Sequence, residues 1–107
     1  MKRYELRNGK GKDIAFTGEM LSEVDSRDFR VSPGQASRWT ELRIYHTKGG
    51  KYICESCGRS SVPGETDRFN ISVADNVGDV FSMFRSSYLS KALFEDAGLQ
   101  DDVREID

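Results

Sequence analysis

A chain of 107 residues, with 36% hydrophobic and 32% charged side chains, suffices for one domain with a modest core beneath a charged surface. Aromatic residues make up 10% of the chain, more than disordered chains carry, and no run of about 18 apolar residues is present to span a membrane. The net charge of −2 neither favours nor excludes nucleic acid as a partner, so we expect one soluble domain over residues 1–107.

The first element predicted is a β-hairpin. Tyr4 and Leu6 alternate with charged residues, which indicates a half-buried strand. Residues 8–11, Asn-Gly-Lys-Gly, form a turn because Asn and Gly tolerate positive φ. Ile14 and Phe16 then continue the alternation in a second strand.

The next stretch loses this alternation. Within residues 18–24, the spacing of Met20, Leu21 and Val24 favours one helical turn over a strand. Residues 25–37 are polar and contain a Pro-Gly pair, so we predict a loop there. Loops of that length are usually functional or disordered.

Residues 38–57 carry the clearest pattern, a second hairpin. Lys48, Gly49 and Gly50 reverse the chain, with a glycine in the left-handed position. In the register that this turn sets, Thr47 faces Lys51, Tyr45 faces Ile53, Ile44 faces Cys54 and Arg43 faces Glu55. An aromatic–β-branched pair and an opposite-charge pair both fall across the strands, as antiparallel sheets prefer.

A fifth strand and two helices complete the prediction. Phe69, Ile71 and Val73 alternate after a turn at Pro63-Gly64. A first helix begins after Asn76, a suitable N-cap, and a second is capped by Ser86 or Ser87. Gly98 suits the position after the second helix, with Leu99 folding back on Phe94, and residues 100–107 are predicted to be a loosely ordered acidic tail.

These elements predict the α+β class. We expect an antiparallel sheet of about five strands, arranged as a meander of hairpins, with two C-terminal helices packed on one face. The opposite face then carries Trp39, Arg43 and Tyr45. The alternative is a sandwich-like arrangement that buries both faces.

The pair Cys54 and Cys57 is the one metal-like motif. A structural zinc site needs four ligands, and this chain offers no second pair and one histidine, His46. In an extended strand, positions 54 and 57 point to opposite faces. We therefore expect a core cysteine and an incidental thiol, and no cofactor. A zinc-bridged dimer or a redox pair are the less favoured alternatives.

No catalytic set is recognisable, so we predict that the chain is not an enzyme. His46 lacks a nucleophile and an orienting partner, and we expect it to be a partly buried strand residue hydrogen-bonded to a neighbour such as Tyr52. Protein binding is the favoured function, because Trp, Tyr and Arg anchor interfaces. The candidate contacts are Trp39, Arg43 and Tyr45, or the acidic Asp101 and Asp102 of the tail.

A nucleic-acid-binding module is the second hypothesis. Residues 1–12 have a net charge of +4 because they contain five basic residues against one acidic residue. With the sheet aromatics stacking bases, these cations would contact phosphates: Lys2, Arg3, Arg7, Lys10 and Lys12.

The string RWTELRIYHTKGGKY, preceded by GKDIAFTGEML and followed by GRSSVPGETDR, resembles a pattern in small proteins carried by bacterial phages, plasmids and integrative elements. The likeness covers residues 10–70 and brings no functional residue with it. It implies an accessory protein of the bacterial cytoplasm, for example an inhibitor of a host factor such as a defence nuclease. The N-terminus lacks the apolar stretch of a secretory signal, which agrees with this location.

Overall fold

The fold was analysed in a computed structural model, which describes residues 1–29, 37–84 and 88–99. Its single sheet has five antiparallel strands in chain order. They are β1 (Lys2–Leu6), β2 (Ile14–Asp25), β3 (Arg38–Thr47), β4 (Tyr52–Ser60) and β5 (Arg68–Ala74). A short 3-10 helix at Ser26–Phe29 follows β2, and two helices follow the sheet, α1 (Val77–Met83) and α2 (Tyr88–Ala97). The predicted α+β class and strand order are confirmed.

One hydrophobic core lies between the sheet and the two helices. The strands contribute Val24, Leu42, Ile44, Cys54 and Ala74, and the helices contribute Val80, Leu89 and Leu93. Both helices thus cover the same side of the sheet, which we call the helix face. Within the described ranges, neither helix is long and apolar enough to cross a membrane.

The second hairpin has the predicted register. Tyr45 pairs with Ile53, Ile44 with Cys54, and Arg43 with Glu55. The Thr47 amide donates to the Lys51 carbonyl at 2.8 Å, and Gly50 has a φ of 90°, the left-handed conformation that the turn requires.

The helical turn predicted within residues 18–24 is wrong, because β2 continues through this stretch to Asp25. Met20 and Ser22 pair with the consecutive residues Tyr45 and Ile44, so Leu21 is the extra residue of a β-bulge. A bulge interrupts the two-residue alternation, and the resulting apolar spacing resembles that of a helix.

The predicted ends of the helices are confirmed where the structure describes them. The Asn76 side chain accepts a hydrogen bond from the Asp79 amide at 2.9 Å and caps α1. After α2, Gly98 has a φ of 72° and the Leu99 amide donates to the Phe94 carbonyl at 2.9 Å. Ser86, Ser87, most of the predicted loop at 25–37, and the tail with Asp101 and Asp102 lie outside the described residues.

The sheet curls so strongly that its first and last strands approach each other. The Gly9 amide, just beyond β1, donates to the Phe69 carbonyl of β5 at 2.8 Å. In a flat sheet, four strand spacings would separate β1 from β5 by about 19 Å. The curl therefore brings the tip of the first hairpin, residues 7–12, to the beginning of β5.

Candidate functional site

The face of the sheet opposite the helices holds a network of charged side chains around Arg43. This guanidinium, only 16% exposed, bonds the carboxylates of Glu23 and Glu41 and lies 3.2 Å from Glu55. Burial opposes the charge of Arg43, but its hydrogen bonds to carboxylates prevail and raise its pKa. The arginine is thus committed to interactions inside the protein.

Trp39 and Arg59 extend this network along the strands. The Trp39 indole donates to the Glu41 carboxylate at 2.9 Å, and Arg59 lies 3.3 Å from the same group and 3.0 Å from Asp67. The Arg27 guanidinium stacks over the Trp39 ring, 4.1 Å from its centroid. Guanidiniums and carboxylates therefore alternate along the second hairpin, from Arg43 through Glu41 and Arg59 to Asp67.

Tyr45 does not stand on an exposed face, so the expectation of an exposed Trp39–Tyr45 pair is wrong. Its side chain is 4% exposed, because the curl packs Tyr4 and Phe16 against it at centroid distances of 4.9 and 5.3 Å. Its hydroxyl donates to Glu55 at 3.2 Å, and burial together with the Glu55 charge raises the Tyr45 pKa. Of the three predicted sheet contacts, Tyr45 is buried, whereas Trp39 and Arg43 are partly exposed.

The predicted basic residues of the first hairpin are divided by the structure. Lys2 lies over the Tyr4 ring, 5.0 Å from its centroid, and Arg3 lies 3.6 Å from Glu5. Both are at the start of β1, which pairs with Gly18 and Thr17, at the end of the hairpin remote from its tip.

The other three cations of that hairpin belong to its tip, which lies close to Phe69 of β5. The Arg7 and Arg59 guanidiniums lie 6.0 and 5.1 Å from the centroid of the Phe69 ring. Lys10 and Lys12 are exposed on the tip, where the Gly9 amide bonds to the Phe69 carbonyl. Arg68 precedes Phe69 in β5 and pairs with Gly58, so its side chain lies on the opposite face of the sheet. We call the following group the Phe69 surface: Arg7, Lys10, Lys12, Arg59 and Phe69.

Backbone geometry keeps the tip in place. A Cβ atom on Gly9 would lie 2.8 Å from the Phe69 carbonyl oxygen, so the close approach requires glycine. The Asn8 side chain accepts from the Lys10 amide at 3.1 Å, and the Asn8 amide donates to Asp13 at 3.1 Å. The tip therefore has local bonds of its own in addition to its bond with β5.

The two cysteines lie on opposite faces of β4, as its extended conformation predicts. Cys54 belongs to the helix-face core, whereas the Cys57 thiol accepts from Arg43 at 3.3 Å on the other face. Both are buried, and burial raises both pKa values, that of Cys54 to about 12. One zinc ion bound by both thiols would require β4 to leave the sheet.

His46 stacks on Tyr52, with ring centroids 4.8 Å apart. No group of three or more His, Cys, Asp or Glu side chains within the described ranges is arranged to hold a metal ion.

Comparison of the chain with protein-family models, curated proteins and solved structures finds no match.

Sequence reasoning missed Arg59 and Phe69 as partners of the basic hairpin. Their contact joins positions about 60 residues apart and depends on the curl of the sheet, which alternation alone does not report. The available signal is Gly9, a glycine beside an asparagine in a basic turn, but the sequence alone indicates only a turn residue there.

Proposed function

We propose that this chain is a small non-catalytic protein that binds another protein, and that the Phe69 surface recognises an acidic segment of that partner. The observation that carries the proposal is the bond between Gly9 and Phe69. It brings together four cations that the sequence distributes over residues 7–59.

The composition of the Phe69 surface supports a protein partner. Arginine and aromatic side chains are the usual anchors of protein interfaces, and the Phe69 ring has two guanidiniums beside it in the fold, those of Arg7 and Arg59. A guanidinium binds a carboxylate through two parallel hydrogen bonds, which suits it to Asp and Glu side chains. Within the described ranges no ion pair involves Arg7, Lys10 or Lys12.

Acidic residues at the border of this surface favour protein over nucleic acid. Asp67 bonds Arg59 at 3.0 Å, and Asp13 bonds the Asn8 amide of the tip. Carboxylates in these positions repel phosphates that follow each other along a strand, whereas they complement a protein surface on which charges of both signs alternate.

The biological setting of the proposal comes from the resemblance to mobile-element proteins. In that setting the partner is a host factor of the bacterial cytoplasm, and the bound state inhibits it. A metal-dependent defence nuclease is one such factor, because its ions are held by carboxylates that a basic surface complements.

A nucleic-acid-binding module is the second candidate, favoured by the same cluster of cations. It predicts contacts of Arg7, Lys10 and Lys12 with phosphates, with Phe69 available for base stacking. Its binding would fall steeply with salt, by roughly one power of the salt concentration for each phosphate neutralised.

Fluorescence anisotropy tests both candidate functions with two labelled probes, each about twelve residues or nucleotides long. Binding is measured at about 50 mM and about 200 mM salt. One probe is a peptide of alternating Asp, Glu, Gly and Ser, and the other is a single-stranded oligonucleotide. We expect the peptide to bind and the double variant Arg7→Glu with Lys10→Glu to weaken its binding at least tenfold, or about 1.4 kcal/mol.

The matched control reverses the same number of charges elsewhere, at Lys48 and Lys91. Both residues are exposed, in the turn of the second hairpin and on α2. Its affinity for the peptide should remain within about twofold of the unaltered protein, since screened charges beyond about 10 Å contribute little. Tighter binding of the oligonucleotide than of the peptide selects the nucleic-acid module, and binding of neither probe refutes the role of the Phe69 surface.

A further inference from the structure

A second, independent feature lies on the helix face, where the helices leave part of the sheet uncovered. A cavity of about 470 Å³ opens there between β3, β4, β5 and the facing ends of α1 and α2. Cavities that bind small molecules usually have volumes of about 300–1,000 Å³. The feature is therefore large enough for a ligand of one or two rings.

One wall of the cavity is apolar. Leu42 and Cys54 continue the core from the sheet, and Met83, Phe84 and Leu89 approach it from the helices. Met83 is 39% exposed although its neighbours on the same side are packed. An apolar ring placed against this wall would be removed from water on one side.

The floor of the cavity consists of short, polar, uncharged side chains. Ser56 of β4 pairs with Asn70 of β5, and Ser72 lies two residues further along the same face. Within the described residues no hydrogen bond is found for these three side chains. They leave donors and acceptors directed along one side of an otherwise apolar space.

No charged residue is found among the described residues that line the cavity, although charged side chains make up 32% of the chain. Among these described lining residues an ionised ligand would find no counter-charge to offset the hydration that it loses, which is costly. An uncharged ligand has no such penalty.

From this arrangement we propose that the cavity binds a small, flat, neutral molecule, with its ring against the Phe84 wall and its amide- or hydroxyl-type groups on Ser56, Asn70 and Ser72. The site is separate from the Phe69 surface. It remains intact in the charge-reversal variants above, so failure of one proposal does not affect the other.

Three ligands of equal shape and different charge test this inference: naphthalene-2-carboxamide, naphthalene-2-carboxylate and naphthalene-2-carboxamidine. Amide NMR spectra are recorded while each is titrated into the full chain. We expect the neutral carboxamide to shift the amide signals of Ser56, Asn70 and Ser72, with an affinity at least tenfold higher than either ion. Equal affinities for the three compounds, or no shifts at these residues with the carboxamide, would overturn the proposal.

Two variants that fill the floor identify the site. Ser56→Leu occupies the cavity from β4 and Ser72→Val from β5, and each should weaken carboxamide binding at least fivefold. Thr17→Leu is the matched control, because Thr17 is an exposed strand residue on β2, which does not line the cavity. Circular dichroism establishes that each variant is folded. If Ser72→Val folds and binds the carboxamide as well as Thr17→Leu does, the cavity is not the site.

Discussion

At the scale of single residues, Glu41 determines how the charged network responds to acid. Burial raises the pKa of its carboxyl group, but hydrogen bonds from Trp39 and Arg43 prevail and lower it below 4.5. A carboxyl group whose pKa is depressed by folding contributes stability above its unfolded pKa, and the contribution is lost as the pH falls through the folded value. The network should therefore stabilise the fold at neutral pH and weaken in acid.

The variant Trp39→Phe isolates one part of this effect. It keeps an aromatic ring for Arg27 but removes the indole donor 2.9 Å from Glu41. Because hydrogen bonds to charged groups contribute about 1.5–3 kcal/mol, we expect the free energy of unfolding to fall by about 2 kcal/mol at neutral pH. Urea unfolding at several pH values should show this loss shrinking below pH 4.5 as Glu41 becomes protonated.

Ile44→Val is the control for Trp39→Phe. Ile44 is fully buried in the uncharged core, so its loss of about 1 kcal/mol should not change between neutral and acidic pH. A Trp39→Phe deficit that is equally constant with pH would show that ring packing, and not the bond to Glu41, explains the effect.

Residue patterns predicted the register of the second hairpin but not the burial of Tyr45. The reason is that the register depends on residues close together in the sequence, whereas the burial depends on distant ones. The pairing of Arg43 with Glu55 is set by a turn only a few residues away. The burial of Tyr45 depends on Tyr4 and Phe16, which reach it through the curl of the whole sheet. Alternation identifies the two faces of a strand, but it does not indicate which distant residues cover each face.

At the scale of elements, the first hairpin is held to β5 by a contact that tolerates no side chain. In Gly9→Ala the new Cβ would lie 2.8 Å from the Phe69 carbonyl oxygen, so the tip must move away and lose its bond. We expect the free energy of unfolding to fall by roughly 1–2 kcal/mol. Amide hydrogen exchange at residue 9 should accelerate, and the acidic peptide should bind more weakly because Lys10 and Lys12 move with the tip.

Gly49→Ala provides the comparison, since the nearest atom to its new Cβ is 3.9 Å away in the exposed turn of the second hairpin. Its free energy of unfolding should remain within about 0.5 kcal/mol of the unaltered protein. If the two alanine variants are equally stable and exchange equally slowly at residue 9, the hairpin tip is not fixed by β5.

Local sequence signals predicted the ends of the helices, but they did not predict the features that depend on strand pairing. The caps at Asn76 and Gly98 are local signals, and both were found where the sequence places them. The bulge at Leu21 is not local, because it is defined by the pairing of β2 with β3. The cavity on the helix face was missed for a related reason, as Ser56, Asn70 and Ser72 become neighbours only when β4 and β5 pair.

At the scale of the whole molecule, one sheet supports two buried layers, and a cysteine lies in each. Cys54 is packed with the helices, and Cys57 is buried beside Arg43 on the other face. Since β4 belongs to both layers, opening either one exposes the centre of the sheet. We therefore expect the two layers to unfold in a single cooperative transition.

Thiol labelling tests this cooperativity in two single-cysteine variants, Cys54→Ser and Cys57→Ser, each calibrated by its own urea unfolding curve. Burial and raised pKa values make both thiols inert in the folded state, so each should react with a disulfide reagent only after the molecule opens. The opening free energy from labelling should equal the global free energy of unfolding in both variants, within about 0.5 kcal/mol. Labelling of Cys57 through a smaller opening than Cys54 would show that the charged layer detaches on its own, and the cooperative account would be wrong.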